Sequence, residues 1–256
     1  MRYLAAAHTD VGISKKVNQD AFCLKIAKTP NARMAFAILC DGMGGLQNGE
    51  LASSLTVNAF SAWFEQELPA GFKGDVDFER IKHRWNELAN EQNEKIADYG
   101  RRNGFSLGTT LTGLLIVENR FLFIQIGDTR IYRITGAIVQ ITKDQTVVAR
   151  EVEQRRLTRE EAERDAQKNV LLQCVGASKT LVPEYGTGVL DENEVFLLCS
   201  DGFRHEVKDD ELFGVLAPRL LTGEKVMKKC LVDLIDLNKE RRERDNITAL
   251  LIKAIK

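Results

Sequence analysis

The sequence predicts an α+β domain built in layers, and three observations carry that expectation. Short apolar runs bounded by Gly, Pro, Asn and Asp recur along the whole chain, the pattern of strands. Two longer stretches, Glu50–Pro69 and Phe78–Tyr99, space their apolar residues helically instead. The two kinds of segment come in runs and not in strict alternation, which is the pattern of α+β layering.

Composition sets the bounds. With 256 residues and 44% hydrophobic content the chain can bury a large core. No Pro/Ser/Gly-rich linker divides it, so one domain over residues 1–256 is expected. Lys plus Arg (36) nearly balance Asp plus Glu (37), and the net charge of -1 offers no attraction for nucleic acid or an anionic membrane. Cys23, Cys40, Cys174, Cys199 and Cys230 form no C-x-x-C pair, and two sit inside apolar runs. They read as reduced thiols, not disulfides or zinc ligands. No apolar segment approaches the roughly 18 residues of a membrane span, and the N-terminus turns polar too early for a secretory signal. A cytoplasmic protein is expected.

Taken in order, residues 2–7 read as a strand. A polar segment from Thr9 to Asp20 follows, with Lys15 and Lys16 among several oxygen-bearing side chains. Ala21–Ala27 and Met34–Cys40 read as strands around the turn residues Thr29-Pro30-Asn31. If they pair antiparallel, Asp20 and Asp41 share one sheet edge. The second of these runs straight into Asp41-Gly42-Met43-Gly44-Gly45, where missing Cβ atoms let the backbone come close to whatever Asp41 holds. Asp-Gly after a strand is ordinarily only a turn. Here the design recurs: Val195–Gly202 again runs apolar into Asp201-Gly202, and Phe121–Ile126 leads to Asp128.

The first helix is expected to bury Leu51, Leu55, Ala59, Phe60, Trp63 and Phe64, and the second Phe78, Ile81, Trp85, Leu88, Ile96 and Tyr99. Leu111–Glu118, Phe121–Ile126, Arg130–Thr135 and Ile138–Ile141 follow as closely spaced strands, which predicts an antiparallel meander. Residues 142–169 are charged, and Thr158 and Glu161 have capping-box spacing, so a short solvated helix is expected there. That segment reads either as a surface insertion or as a flap beside a site. Strands at Val182–Val189 and Glu194–Cys199, helices at Asp209–Leu216 and Glu224–Glu240, and a final strand introduced by Asp245-Asn246 complete the chain.

Asp20, Asp41, Asp128, Asp201 and Asp245 thus each stand at a strand border. Clustered carboxylates repel, and divalent cations resolve the conflict. An oxygen-only set suits Mg²⁺ or Mn²⁺ better than zinc. His8, His83 and His205 share no spacing motif and are read as structural or exposed, not as ligands. Two ions about 3.5–4 Å apart would lower the pKa of a bridging water and aim it at a phosphoryl group. No G-x-x-x-x-G-K-[ST] is present, which excludes P-loop nucleotide hydrolases.

The ordered set Asp10-x-Gly12 with Asn18-Gln19-Asp20, Asp41-Gly42-Met43-Gly44-Gly45, Gly108-Thr109-Thr110, Gly127-Asp128-Thr129-Arg130, Ser200-Asp201-Gly202 and Asp245-Asn246 resembles the metal-dependent protein phosphatases of type 2C, in their bacterial single-domain form. The resemblance covers nearly the whole chain. It implies a four-layer α-β-β-α sandwich with two central antiparallel sheets and a binuclear Mn²⁺/Mg²⁺ centre at one end. Asp41 is then expected to bridge both ions, Gly42 to offer its carbonyl, Asp20 to act through bound water, and Asp201 and Asp245 to complete the more deeply held site. Asp128, with Asp201, is expected to bind a third, weaker ion. The implied activity is hydrolysis of phosphoserine and phosphothreonine in proteins, the substrates of a cognate kinase, by direct attack of a metal-bridging water. A monomer is expected.

Three positions depart from the family pattern. Lys15, or Lys16 after a small shift, stands where an arginine commonly contacts the substrate phosphate. Gln19 replaces a frequent glutamate, and Met43 stands where many eukaryotic members have a histidine proposed as general acid. The Lys15 and Gln19 departures keep a second reading open, a non-catalytic phosphoprotein-binding module on the same fold, and because substrate recognition lies in loops a phosphatase for small phosphomonoesters stays open as a third.

Overall fold

The computed structural model describes residues 1–30, 32–43, 48–71 and 76–256. Three strands come first: β1 (Arg2–Asp10), β2 (Asp20–Lys28) and β3 (Arg33–Met43). Helix α1 (Gly49–Ala62) runs through a π-helical turn at Trp63–Glu67 into α2 (Leu68–Gly71). The long α3 (Phe78–Asn103) starts where the Asp77 carboxylate accepts the N–H groups of Glu79 and Arg80, and stops at Gly104, left-handed at φ 75°. Strands β4 (Gly108–Thr109), β5 (Leu111–Val117), β6 (Arg120–Ile126), β7 (Arg130–Ile134) and β8 (Ile138–Gln140) follow, then α4 (Val147–Glu153) and α5 (Arg159–Arg164). The chain continues through β9 (Glu184–Val189), β10 (Val195–Cys199), α6 (Asp201–Arg204), α7 (Asp209–Leu216), α8 (Glu224–Glu240) and β11 (Ile247–Ile255).

Two antiparallel sheets result, one in the order β1-β11-β10-β7-β8 and the other β2-β3-β5-β6-β9, with β4 pairing at the end of β3. Strand alternation sorts their side chains into three apolar layers. Ala35, Ala37 and Leu39 of β3 face Phe196 and Leu198 of β10 and Leu250 and Ile252 of β11 between the sheets. Phe121 and Phe196 meet there edge to face, with ring centroids 5.1 Å apart. The alternate residues Phe36 and Ile38 pack outward on Phe64 and Trp85 of the helical layer. On the opposite side Leu197 and Leu251 pack on Leu231 and Leu234 of α8. Helix, sheet, sheet and helix layers stack as the expected sandwich.

Two expectations need correction. The strands from Leu111 to Ile141 are not one meander: β5 and β6 lie in one sheet, β7 and β8 in the other. The chain crosses between sheets at Gly127-Asp128-Thr129, where Gly127 is left-handed at φ 99° and a Cβ would stand 2.6 Å from Thr110 Cγ2. The Gln125 side-chain amide donates to the carbonyls of Gly127 (3.0 Å) and Thr129 (2.6 Å), replacing ladder bonds lost at the crossing. The helical stripes are also narrower than expected, for Leu55 and Tyr99 are exposed. Ala52, Ser53 and Thr56 are buried in α1 instead, with the Ser53 hydroxyl bonded to the Gln19 carbonyl at 2.6 Å.

Residues 142–169 hold two short helices, and the Thr158–Glu161 capping box forms. All five cysteines are free thiols. Among the described residues no helix is long and apolar enough to cross a membrane.

Candidate metal centre

Asp20 and Asp41 are direct partners across β2 and β3, so both carboxylates emerge at one end of their sheet. The Gly108-Thr109-Thr110 motif fixes the backbone of Asp41. Its N–H donates to the Thr110 hydroxyl at 2.8 Å, and its carbonyl accepts from the Thr110 N–H and the Thr109 hydroxyl, both at 2.9 Å. Gly42 has no room for a side chain, since a Cβ would lie 2.3 Å from the Gly49 carbonyl oxygen.

The other sheet supplies the remaining carboxylates. Asp201 opens α6 directly after β10, where Ser200 and Thr248 exchange backbone and hydroxyl bonds of 3.0 Å. Asp245 precedes β11, and its N–H donates to the buried Glu243 carboxylate at 2.8 Å. The Asn246 side chain ties this strand start to the polar loop, accepting the Gln19 N–H at 2.9 Å and donating to the Val11 and Val17 carbonyls at 3.0 and 3.2 Å. Held in this way, the loop sets Lys15 Nζ 2.9 Å from Asp245 Oδ1. Lys16 is exposed. Asp10 and Gly12 shape the loop base: the Gly12 N–H bonds Asp10 Oδ1 at 2.8 Å, and Lys239 pairs with the same carboxylate at 3.0 Å.

The electrostatics of the cluster are unfavourable as it stands. Burial, reinforced by the charges of Asp20, Asp201, Asp128 and Asp245, drives the Asp41 carboxyl well above its usual range. Burial and the Asp201 charge likewise push Asp20 and Asp128 up to about 7. The Thr248 and Ser200 hydroxyls ease the burial of Asp20 without completing a hydrogen bond to it, and both of its oxygens, like Asp201 Oδ1, are buried and unpartnered. Each such oxygen costs about 1–3 kcal/mol. A divalent cation is the group that would satisfy these atoms and offset the repulsion together. Among the described residues, and as the side chains stand, no three His, Cys, Asp or Glu residues converge closely enough to hold a metal ion.

Two features beside the site were not anticipated. His205 lies near the cluster: Nε2 stands 3.6 Å from Asp201 Oδ2 and Nδ1 3.2 Å from Glu243 Oε2. Burial alone would lower its pKa, but the bond to Glu243 and the Asp201 charge raise it. The signal was available in the sequence as the Asp201/His205 spacing of one helical turn. The second feature is Asp144, gripped by both arms of Arg130 at 2.9 and 2.7 Å, which roots the 142–169 segment next to the crossover. Nothing in the sequence ranks Asp144 above its many charged neighbours. Met43 pairs with Gly108, and the Gln19 amide reaches Glu50 at 3.4 Å. Gly44 and Gly45 lie outside the described residues.

A helix-covered double sheet with aspartates from both sheets gathered at one end is the architecture of the metal-dependent phosphatase class. The chain belongs to the protein phosphatase 2C family, whose model matches residues 9–236. It is 29% identical over 247 residues to the protein phosphatase PhpP of Streptococcus pneumoniae, covering 95% of this chain and 94% of that one. The solved serine/threonine phosphatase of S. agalactiae superposes with a TM-score of 0.83 at 28% identity, over 98% of this chain and 99% of that one. The catalytic domain of the serine/threonine phosphatase PstP, solved with two manganese ions, gives a TM-score of 0.78 at 26% identity over 99% of both chains.

Proposed function

We propose that this chain is a metal-dependent serine/threonine phosphoprotein phosphatase with two Mn²⁺ or Mg²⁺ ions in its main site. The observation that carries the reading is the set of buried, unpartnered carboxylate oxygens on Asp20 and Asp201, within a cluster that also raises the Asp41 pKa. Asp41 would be shared between the ions, with the Gly42 carbonyl, Asp20, Asp201 and Asp245 as the other ligands. When bound, the pair supplies Lewis acidity and a water activated for attack on phosphorus.

The chain's own residues do the rest. Lys15 reaches the cluster from the loop and meets a phosphate oxygen as a point charge, without the bidentate grip of arginine. Asn246 holds that loop in register with Asp245. Met43 has no ionisable proton, so the departing serine or threonine alkoxide takes its proton from water. The 142–169 segment, rooted at Asp144, borders the site as a flap. Phosphoserine and phosphothreonine proteins phosphorylated by a cognate kinase are the substrates, and the chain works as a cytoplasmic monomer.

Phosphate release from matched phosphoserine, phosphothreonine and phosphotyrosine peptides, with Mn²⁺ and after chelation, tests the proposal. Mn²⁺-dependent release favouring the first two is expected. Mn²⁺ binding without turnover on any peptide would favour the non-catalytic module, and turnover of small phosphomonoesters alone would point to a different substrate class.

A further inference from the structure

The crossover aspartate has an unusual neighbour for a metal ligand, a largely buried guanidinium. Arg204 ends α6, three residues after Asp201, with its side chain only 13% exposed. Its Nη2 donates to the Asp128 main-chain carbonyl at 3.3 Å, and lies 3.7 Å from Asp128 Oδ2 and 3.6 Å from Asp144 Oδ2. Asp144 shares this charge but has closer partners of its own. Arg130 already neutralises it through two bonds, and the Gln140 amide adds a third at 2.8 Å. Two guanidinium groups therefore face two carboxylates here: Arg130 grips Asp144, and Arg204 stands between Asp144 and Asp128 at 3.6 and 3.7 Å.

We propose that Arg204, a guanidinium fixed beside Asp128, withholds this carboxylate from the metal set, so that this chain takes up two divalent ions and not a third. The proposal rests on reading the carboxylate cluster as a metal centre. An ion on the Asp128 carboxylate would sit beside a fixed positive charge in a poorly solvated pocket, where like-charge repulsion is weakly screened. Arg204 has no retreat. Its main chain belongs to α6 with Asp201, and its Nη2 is tethered to the crossover carbonyl. Its Nε is buried without a hydrogen-bond partner, so charge, more than a full complement of hydrogen bonds, accounts for its position. The same arginine joins the α6 end, the crossover and the root of the 142–169 segment.

Counting bound Mn²⁺ on chelator-stripped protein, from the paramagnetic resonance signal of the free ion, tests this directly. Wild type, Arg204→Lys and Asp128→Asn should each bind two ions. Arg204→Gln should gain a third, weaker ion, lost again when Asp128→Asn is added. A third ion on the wild type that disappears in Asp128→Asn overturns the proposal, as does an Arg204→Gln protein that still binds only two. If Arg204→Gln fails to fold, the Asp128→Asn comparison can still overturn the proposal. A wild type that binds no Mn²⁺ overturns the metal-centre reading and this proposal together, whereas three ions on the wild type overturn only this one.

Discussion

Lys15 Nζ and Asp245 Oδ1 are 2.9 Å apart, so the cation assigned to substrate phosphate is paired with a carboxylate assigned to metal. Burial would lower the Lys15 pKa, but its bond to Asp245 and the Asp41 and Asp201 charges raise it, and the ammonium persists through the physiological range. Lys15→Gln should raise KM for a phosphopeptide about 10- to 100-fold, the worth of a charge-assisted hydrogen bond, with a smaller change in kcat. Lys15→Arg should recover most of the loss. Steady-state kinetics on one phosphothreonine peptide measures both, and an unchanged KM in Lys15→Gln would remove Lys15 from the phosphate site.

Asp41→Asn should separate stability from activity. It removes the carboxyl whose ionised form the cluster disfavours most, so the metal-free protein should melt at a higher temperature than wild type. Turnover should fall by more than about 100-fold, beyond the 10- to 100-fold typical of losing a group that only supports a ligand. Calorimetry in chelator and a phosphopeptide assay in Mn²⁺ report the two effects. A less stable apo variant would show that the cluster is not under repulsive strain.

The same carboxylates predict a pH signature. Asp20 and Asp128 are pushed from the usual carboxylate value near 3.9 up to about 7, mainly by burial. Between those values the folded chain holds more protons than the unfolded one, so unfolding free energy falls as pH rises. The relative stabilisation is complete below about pH 4 and is lost as pH approaches 7. Metal-free protein should therefore lose stability between pH 5 and 7, on top of the chain's other titrations, and saturating Mn²⁺ should flatten the part of the slope that Asp20 carries. Denaturant melts across that range, with and without the ion, give the comparison.

Gly12→Ala tests the loop floor. Gly12 is left-handed at φ 76°, and a Cβ would come within 2.2 Å of the Asp245 carbonyl oxygen. The backbone preference alone costs about 1–2 kcal/mol, and relief of the clash must displace Asp245. Lower thermal stability together with at least a tenfold weaker Mn²⁺ affinity by titration calorimetry is expected. A destabilised variant with native metal affinity would detach Gly12 from the site.

Much of this was legible in the sequence where local chemistry and global position agree. The Asp20/Asp41 pairing followed from two apolar runs around a Thr-Pro-Asn turn, and antiparallel register delivered both carboxylates to one edge. The helices Asp209–Leu216 and Glu224–Glu240 end where their periodicity ends. The sheet switch at Gly127 was not legible, because spacing between strands says nothing about which sheet each one joins. Gln125 reads as an ordinary strand residue until its amide is seen bonding the crossover. Leu55 and Tyr99 misled because helical spacing marks a face broadly, whereas close approach to β3 rewards the small Ala52, Ser53 and Thr56. Arg204 was hidden for another reason: its meaning depends on Asp128 and Asp144, both remote in sequence, whereas His205 was half legible from its one-turn spacing to Asp201, with Glu243 the remote part.

Strand β11 follows every other element in the chain yet lies between β1 and β10, with Arg2 opposite Ile255 and Asp10 opposite Ile247. That pairing closes the longest loop in the fold, the kind of contact whose entropy makes it slow to form. Asp245 immediately precedes that strand, and Asn246 ties it to the loop that carries Lys15. Assembly of the metal centre is thus coupled to one of the most non-local steps in folding. Chains that have collapsed but not yet docked β11 against β1 lack the complete site, so regain of Mn²⁺-dependent turnover during refolding should lag the burial of the Phe36–Trp85 cluster beneath the helices.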